Sequence, residues 1–146
     1  MKSTEPPIVV ANTYNVPVSK LWSAITKVDE MRQWYFDMLE DFQAVVGFTT
    51  SFLVENEGRQ FTHLWEITEV VEESRIKYQW NYKEHIGDSY VLFELEKISA
   101  EQSSLTVSCV VEEDFPDDLK EFDRESGVAG WTYLLKQRLV DYLDPI

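Results

Sequence analysis

The stretch ESGVAGWTYLLKQRLVDYL, residues 125–143, is the one long helical pattern in the chain. Apolar residues recur in it at steps of three or four, so it predicts an amphipathic helix with one broad apolar face. Asp123 or Ser126 is suited to cap its start, and Pro145 follows its end. Because an isolated helix of this kind is marginal in water, its apolar face must cover a surface that other segments provide. The positions of that face are Val128, Trp131, Leu134, Leu135, Leu139, Tyr142 and Leu143.

Length and composition predict one folded domain over residues 1–146. Of the 146 residues, 44% are hydrophobic and 14% are aromatic, which is enough to build a packed core. No apolar run approaches the roughly 20 residues that cross a bilayer, and the first residues lack the apolar core of a signal peptide. Cys109 is the single cysteine and has no internal disulfide partner. We therefore expect a protein of the reducing cytoplasm.

The charge of the chain argues against two classes of partner. Its 27 acidic and 13 basic residues leave a formal net charge of −14. Such a surface would be repelled by the phosphates of nucleic acids and by anionic membranes, so we expect neither as a partner. The simplest role of the acidic surface is to keep the protein soluble.

Before the C-terminal helix, the sequence predicts seven strands and two short helices. The first strand covers 8–14, Pro17 opens the first short helix, and the second short helix covers 29–33. Residues 112–122, EEDFPDDLKEF, form an acidic connection. Its simplest role is a solvated loop, and the alternative is an acidic lip at the mouth of a cavity. The other six strands are expected at 42–46, 48–55, 61–71, 75–83, 90–98 and 105–111.

Strands joined by short turns predict an antiparallel sheet with one buried face. In 75–83, for example, Ile76, Tyr78, Trp80 and Tyr82 alternate with polar residues and point to the same face. The predicted fold class is α+β, a curved antiparallel sheet with two short helices and a long C-terminal helix across its apolar face. Because a twisted sheet curves away from a straight helix, the gap between them is either filled by side chains or left as a cavity.

This layout resembles the helix-grip fold of the START and birch-pollen-allergen (SRPBCC) superfamily. More narrowly, the chain is similar to the AHSA-like family, the homologues of the C-terminal domain of a heat-shock chaperone ATPase activator. That family includes chaperone co-factors, polyketide-modifying enzymes and resistance proteins, so the resemblance implies the fold more closely than the function. The motifs that carry the resemblance are Val16-Pro17, Lys20-Leu21-Trp22, Ala24-Ile25-Thr26, Arg32-Gln33-Trp34, Trp65-Glu66-Ile67, Arg75-Ile76-Lys77-Tyr78-Gln79-Trp80, Val91-Leu92-Phe93-Glu94-Leu95 and Gly130-Trp131.

Patterns that indicate catalysis or metal binding are missing from the sequence. His63 and His85 are the two histidines, and neither belongs to a metal-binding spacing such as HExxH. The sequence also lacks a Gly-rich phosphate loop and a GxSxG motif. Cys109 has the parity of a buried strand face, where an inert core thiol is the expected role. We therefore predict no metal, no cofactor and no catalytic residue.

Aromatic residues give the remaining functional signal. Their usual role is core packing, but as a set they are also suited to line a pocket for a flat or greasy molecule. His63 shares their face, where it is either a satisfied core histidine or a polar anchor for a ligand. Glu69 has the same parity unless a bulge turns it outward. The residues predicted to line a cavity are Phe48, Phe52, Phe61, His63, Trp65, Tyr78, Trp80, Phe93, Trp131 and Leu135.

We therefore expect a domain that binds a small hydrophobic molecule between its sheet and its C-terminal helix, without catalysis. One alternative is an enzyme of the polyketide cyclase or hydrolase type in the same cavity, with His63 or Tyr78 as proton carrier. The other alternative is a protein-interaction module whose acidic surface meets a basic face of a chaperone or another protein.

Overall fold

The computed structural model describes residues 1–144. Its six strands form one antiparallel sheet that curves around the C-terminal helix. The strands are β1 (Ile8–Tyr14), β2 (Thr49–Asn56), β3 (Arg59–Val71), β4 (Arg75–Tyr82), β5 (Asp88–Ser99) and β6 (Gln102–Glu113). Their order across the sheet is β1-β6-β5-β4-β3-β2, so the first strand lies at one edge of the sheet and pairs with the last strand. The predicted α+β helix-grip fold is confirmed.

Two short helices connect β1 to β2. They are α1 (Val18–Thr26), which starts directly after Pro17, and α2 (Val28–Trp34). Proline is favoured at a helix start because its fixed φ matches the helix and its missing N–H is not needed there. The indole of Trp34 donates to the Ala24 carbonyl at 2.8 Å, so α2 is fixed against α1. The chain that leaves α2 then carries Tyr35 and Phe36 under the sheet.

The C-terminal helix, α3, extends over 124–143 and contains a π turn. Its parts are Arg124–Tyr133, the π turn Leu134–Arg138 and Leu139–Leu143. Side chains of β1 bond to this turn, since the Tyr14 hydroxyl donates to the Leu135 carbonyl at 2.6 Å and the Asn12 amide donates to it at 3.3 Å. The turn adds a residue to the helix, which keeps four side chains spaced by four on the same face. Those side chains, all buried, are Trp131, Leu135, Leu139 and Leu143.

Two details of the predicted helix differ from the structure. Val128 is 40% exposed and does not belong to the buried face. Asp123 is the N-cap residue but its side chain makes no capping bond, and Ser126 lies inside the helix. Pro145, expected to follow the helix, lies outside the described residues.

The strand predicted at 42–46 is wrong. Phe42 is buried, but Val45 and Val46 are exposed and the segment pairs with no described strand. Its backbone turns instead, because Phe48 donates to the Val45 carbonyl at 3.0 Å and Gly47 adopts a positive φ of 91°. An apolar, β-branched pair therefore leads into a turn that delivers the chain to β2.

The hairpin between β2 and β3 fixes the register of the outer strands. Its two turn residues, Glu57 and Gly58, both have positive φ, which is the type I′ geometry that suits strand twist. Further along β3, a bulge between Ile67 and Glu69 shifts the register. The bulge leaves Glu69 partly exposed and paired with Arg75 at 2.5 Å, so this carboxylate is turned away from the inner face.

Candidate functional site

A cavity of about 180 Å³ lies between the inner face of the sheet and the first half of α3. Trp80, Val91 and Cys109 reach it from β4, β5 and β6. Trp131 and Leu134 reach it from α3. The alternation of the central strands and the apolar face of α3 therefore build two opposite walls of the same space.

Segments from outside the central sheet complete the wall. Phe36 contributes from the chain after α2, Met1 from the N-terminus and Phe115 from the connection after β6. The amino group of Met1 donates to the Phe122 carbonyl, and the Met1 carbonyl accepts from the Phe115 amide at 3.1 Å. Phe115 also packs on Gly87, where a Cβ atom would lie 2.3 Å from its ring. The N-terminus and the β6–α3 connection therefore hold each other against the cavity.

Three polar groups of the wall are already satisfied. The Trp80 indole donates to the Tyr82 hydroxyl at 2.7 Å, and the Ser89 hydroxyl donates to the Trp80 carbonyl at 2.5 Å. Burial raises the pKa of Tyr82, and the bond from Trp80 opposes that shift. Burial likewise raises the pKa of the Cys109 thiol to about 11, so this side chain stays a neutral thiol at neutral pH.

Glu121 is the acidic side chain of the wall, and its two oxygens differ. Oε2 accepts from Arg59 at 2.6 and 2.9 Å and from the Asn56 amide at 2.8 Å. Oε1 is buried and has no hydrogen-bond partner within residues 1–144. The Arg59 guanidinium lowers the pKa of this carboxyl to about 2, so Glu121 is ionised at neutral pH. The cavity wall is mostly apolar, and it also carries the ionised Glu121 carboxylate and the Met1 amino group.

Of the ten residues predicted to line a cavity, Trp80 and Trp131 lie on its wall. Their rings meet at 5.7 Å, one from the sheet and one from the helix. The remaining eight pack elsewhere in the inner layer, outside this wall, and most of them contact one another through their rings. They are Phe48, Phe52, Phe61, His63, Trp65, Tyr78, Phe93 and Leu135.

His63 lies in an aromatic environment away from the cavity wall. It stacks on Phe52 with ring centroids 4.6 Å apart, and its Nδ1 lies 3.0 Å from the Phe61 carbonyl. Burial lowers the pKa of the imidazole to about 4, an effect that the Phe61 bond only partly opposes. The ring is therefore neutral at neutral pH.

Tyr78, the other proton carrier considered from the sequence, is also enclosed. Its hydroxyl lies 2.8 Å from the hydroxyl of Tyr35, and both side chains are buried. Burial raises the pKa of Tyr78, so its proton is held more tightly than in water. Neither His63 nor Tyr78 faces the cavity.

Four wall residues that were not predicted to line a cavity come from the N-terminus and from connections. Met1, Phe36, Phe115 and Glu121 lie outside the strands and outside α3. Periodicity carries no information on where such segments pass in space. The available signal is the acidic connection at 112–122, which contains Glu121 and for which the sequence allows a lip at a cavity mouth as the alternative to a solvated loop.

Residues 1–144 contain no group of three or more His, Cys, Asp or Glu side chains placed to hold a metal ion. Over the same residues, every helix is too short or too polar to cross a membrane.

The family model for Activator of Hsp90 ATPase homolog 1-like protein matches residues 15–144. The chain belongs to this family. The matched span includes every strand and helix after β1, so the expected AHSA-like relationship is confirmed. Met1 and Ile8, which also line the cavity, precede the matched span. No curated protein matches the sequence.

Solved structures share the fold of this family member at low sequence identity. DynU16, from the dynemicin biosynthetic locus, has a TM-score of 0.75 and 23% identity, covering 96% of this chain but 48% of DynU16. This chain therefore spans about half the length of DynU16. A protein from Chromobacterium violaceum has a TM-score of 0.76 and 19% identity, over 97% of this chain and 99% of its own. The Aha1 dimer from Colwellia psychrerythraea has a TM-score of 0.72 and 15% identity, over 96% and 97%. At these identities the likeness shows the fold alone.

Proposed function

We propose that this chain is a single cytoplasmic domain that binds one small hydrophobic molecule between its sheet and α3, without catalysis. The observation that carries the proposal is the cavity of about 180 Å³ beneath Trp131, whose walls are mostly apolar side chains. Burial of an apolar ligand surface there supplies roughly 25 cal/mol per Å². A cavity of this kind favours occupation by an apolar molecule over occupation by water.

The volume limits the size of the ligand. Apolar cavities of about 150 Å³ in other proteins take up benzene, and drug-sized ligands need about 300–1,000 Å³. At about 180 Å³, this cavity suits a molecule of one or two small rings. A sterol or a long fatty acid would have to displace wall side chains such as Trp131 or Phe115.

The positions of the proton-carrying side chains favour binding over catalysis. His63 and Tyr78, the residues that a cyclase or hydrolase mechanism would use, lie away from the wall. Of the groups on the wall, the Cys109 thiol has a raised pKa and Glu121 is a weak base because Arg59 lowers its pKa. General acid–base catalysis needs a group whose pKa is near the working pH and within reach of the substrate.

Thermal unfolding tests this proposal. A ligand that binds only the folded state stabilises it by about 2.7 kcal/mol at a hundredfold excess over Kd, which for a domain of this size raises Tm by roughly 5–10 °C. We expect neutral one- and two-ring aromatic compounds to produce this shift and to change the fluorescence of Trp80 and Trp131. If a panel of such compounds moves neither Tm nor fluorescence, the cavity is not a binding site.

Two variants of Cys109 provide a matched control. Cys109→Leu adds carbon atoms to the wall, so it should fill the cavity and weaken binding without loss of folding. Cys109→Ala removes the sulfur and leaves the cavity open, so it should keep binding. Equal affinity in both variants would place the ligand elsewhere.

A protein partner is a second candidate function, favoured by the family's relation to a chaperone ATPase activator and by the net charge of −14. An acidic surface of this size attracts basic surfaces and accelerates association at low salt. Titration of the chain into a purified Hsp90-type chaperone should then give binding that weakens as salt is raised from 50 to about 300 mM. No heat and no mobility change at low salt would exclude this candidate.

A further inference from the structure

One residue of the cavity wall has a carboxylate oxygen with no hydrogen-bond partner among residues 1–144. Glu121 comes from a short 3-10 turn, Lys120–Phe122, that directly precedes α3 and lies on the cavity wall. Its side chain is 17% exposed, and its Oε1 atom is buried without a hydrogen bond to any residue in 1–144. Buried polar atoms in native proteins are nearly always paired, so this oxygen is an acceptor that a donor from outside the chain can use.

Neighbouring residues fix both the position and the charge of this group. Arg59 and Asn56 bind Oε2, and Arg59 also contacts the exposed carboxylate of Glu57 at 3.0 Å. The carboxylate is thus prevented from rotating to satisfy Oε1 with the same donors. The polar groups of Trp80, Tyr82 and Ser89 on the wall bond to other atoms and leave Oε1 as an acceptor.

We propose that the cavity selects hydrophobic molecules that carry one N–H or O–H donor, which bonds to Oε1 of Glu121. This inference rests on the proposed function and specifies the ligand class for the same cavity. A hydrogen bond to an ionised acceptor is stronger than one between neutral groups. Because the acceptor is negative, it repels a ligand carboxylate at this position, whereas amines, phenols and indole-type N–H groups can donate to it.

The pair indole and indene tests this inference. The two molecules have nearly the same size and shape, but only indole has an N–H donor. A hydrogen bond to a charged group should make indole bind about 10- to 100-fold more tightly than indene to the unmodified chain. Affinities are measured by calorimetry or by the fluorescence of the cavity tryptophans at one salt concentration.

Two substitutions then assign the preference to Glu121. Glu121→Gln keeps the size of the side chain but removes the charge, so the preference for indole should fall to a few-fold or disappear, while indene binding stays the same. Glu57→Gln removes the other carboxylate that Arg59 contacts. Glu57 does not lie on the cavity wall. It serves as the matched control and should keep the full preference.

The possible outcomes separate the two proposals. Equal binding of indole and indene to the unmodified chain would overturn the role of Glu121 and leave the apolar cavity as a binding site. A preference for indole that survives Glu121→Gln would overturn that role as well. If neither compound binds, the proposed function itself fails. Should Glu121→Gln not fold, comparison of indole and indene in the unmodified chain and in Glu57→Gln still decides whether a donor is recognised.

Discussion

His63 should make the stability of this protein depend on pH in a range where its carboxyl groups contribute little. The imidazole is 5% exposed and lies between the rings of Phe36, Phe52, Trp80 and Tyr82. Burial lowers its pKa from the ordinary 6.5 to about 4. A proton on the folded protein would therefore place a charge among aromatic rings, whereas the unfolded chain accepts the same proton freely.

The sign and size follow from this difference in pKa. Between pH 6.5 and 4 the unfolded state binds the proton and the folded state does not, so the free energy of unfolding falls as pH is lowered. With a pKa of about 4 for His63 in the folded state, the loss is about 2 kcal/mol by pH 5 and about 3 kcal/mol by pH 4. Carboxyl groups whose pKa is lowered in the folded state, such as Glu121, lose their contribution below about pH 5, so the range from pH 7 to 5 isolates the effect of His63.

Urea unfolding at pH 7, 6 and 5 measures this effect. His63→Gln removes the titrating group, so its unfolding free energy should change much less between pH 7 and 5, whatever its stability at pH 7. His85→Gln removes the other histidine and should keep the slope of the unmodified chain. Equal slopes in the unmodified chain and in His63→Gln would refute the argument, because the proton would then be taken up elsewhere.

Three further predictions concern packing. Trp131→Ala should destabilise the fold by about 3–5 kcal/mol, since this buried ring contacts those of Tyr35, Trp80 and Phe93; an unchanged urea midpoint would show that α3 is not held by it. Tyr35→Phe and Tyr78→Phe should each lower the free energy of unfolding by about 1–3 kcal/mol, because each single change leaves one buried hydroxyl unpaired. The double variant should lose less than the sum of the two. Additive losses would contradict the pairing of the two hydroxyls. Gly87→Ala should lower the free energy of unfolding by at least about 2 kcal/mol, since φ is 122° and Phe115 occupies the space of the new Cβ atom. The control Gly58→Ala, at positive φ in open space, should lower it by about 1 kcal/mol. Equal losses in the two variants would rule out the contact with Phe115.

Sequence periodicity predicted the regular helices and strands of this structure, in which the spacing of residues along the chain determines which face each side chain occupies. The apolar spacing of Trp131, Leu135 and Leu139 identified the helix that covers the sheet, and the alternation of Ile76 and Tyr78 identified the buried face of β4. The prediction of a strand at 42–46 failed because two exposed valines have the same β propensity as two buried ones. Propensity records what a residue tolerates, and burial depends on the rest of the fold.

The cavity wall was less predictable for a related reason. Trp80 and Trp131 belong to regular elements and were expected to face each other. Met1, Phe115 and Glu121 arrive from a terminus and a connection, whose paths are set by contacts distant in sequence, such as the bond between the Met1 amino group and the Phe122 carbonyl. No local pattern in the acidic segment 112–122 distinguishes Glu121 from its solvated neighbours.

The π turn in α3 allows the helix to lose one residue without losing its apolar face. The turn accommodates one extra residue, so removing a residue between 134 and 138 would let the helix revert to regular α geometry with the parts before and after it still in phase. Trp131, Leu139 and Leu143 would keep their places in the core, and Trp131 would still meet Trp80. The deletion would instead change the turn itself, whose Leu135 carbonyl accepts hydrogen bonds from Tyr14 and Asn12. Relatives that lack one residue here should therefore keep the helix face that covers the sheet and differ in how β1 is bonded to the helix.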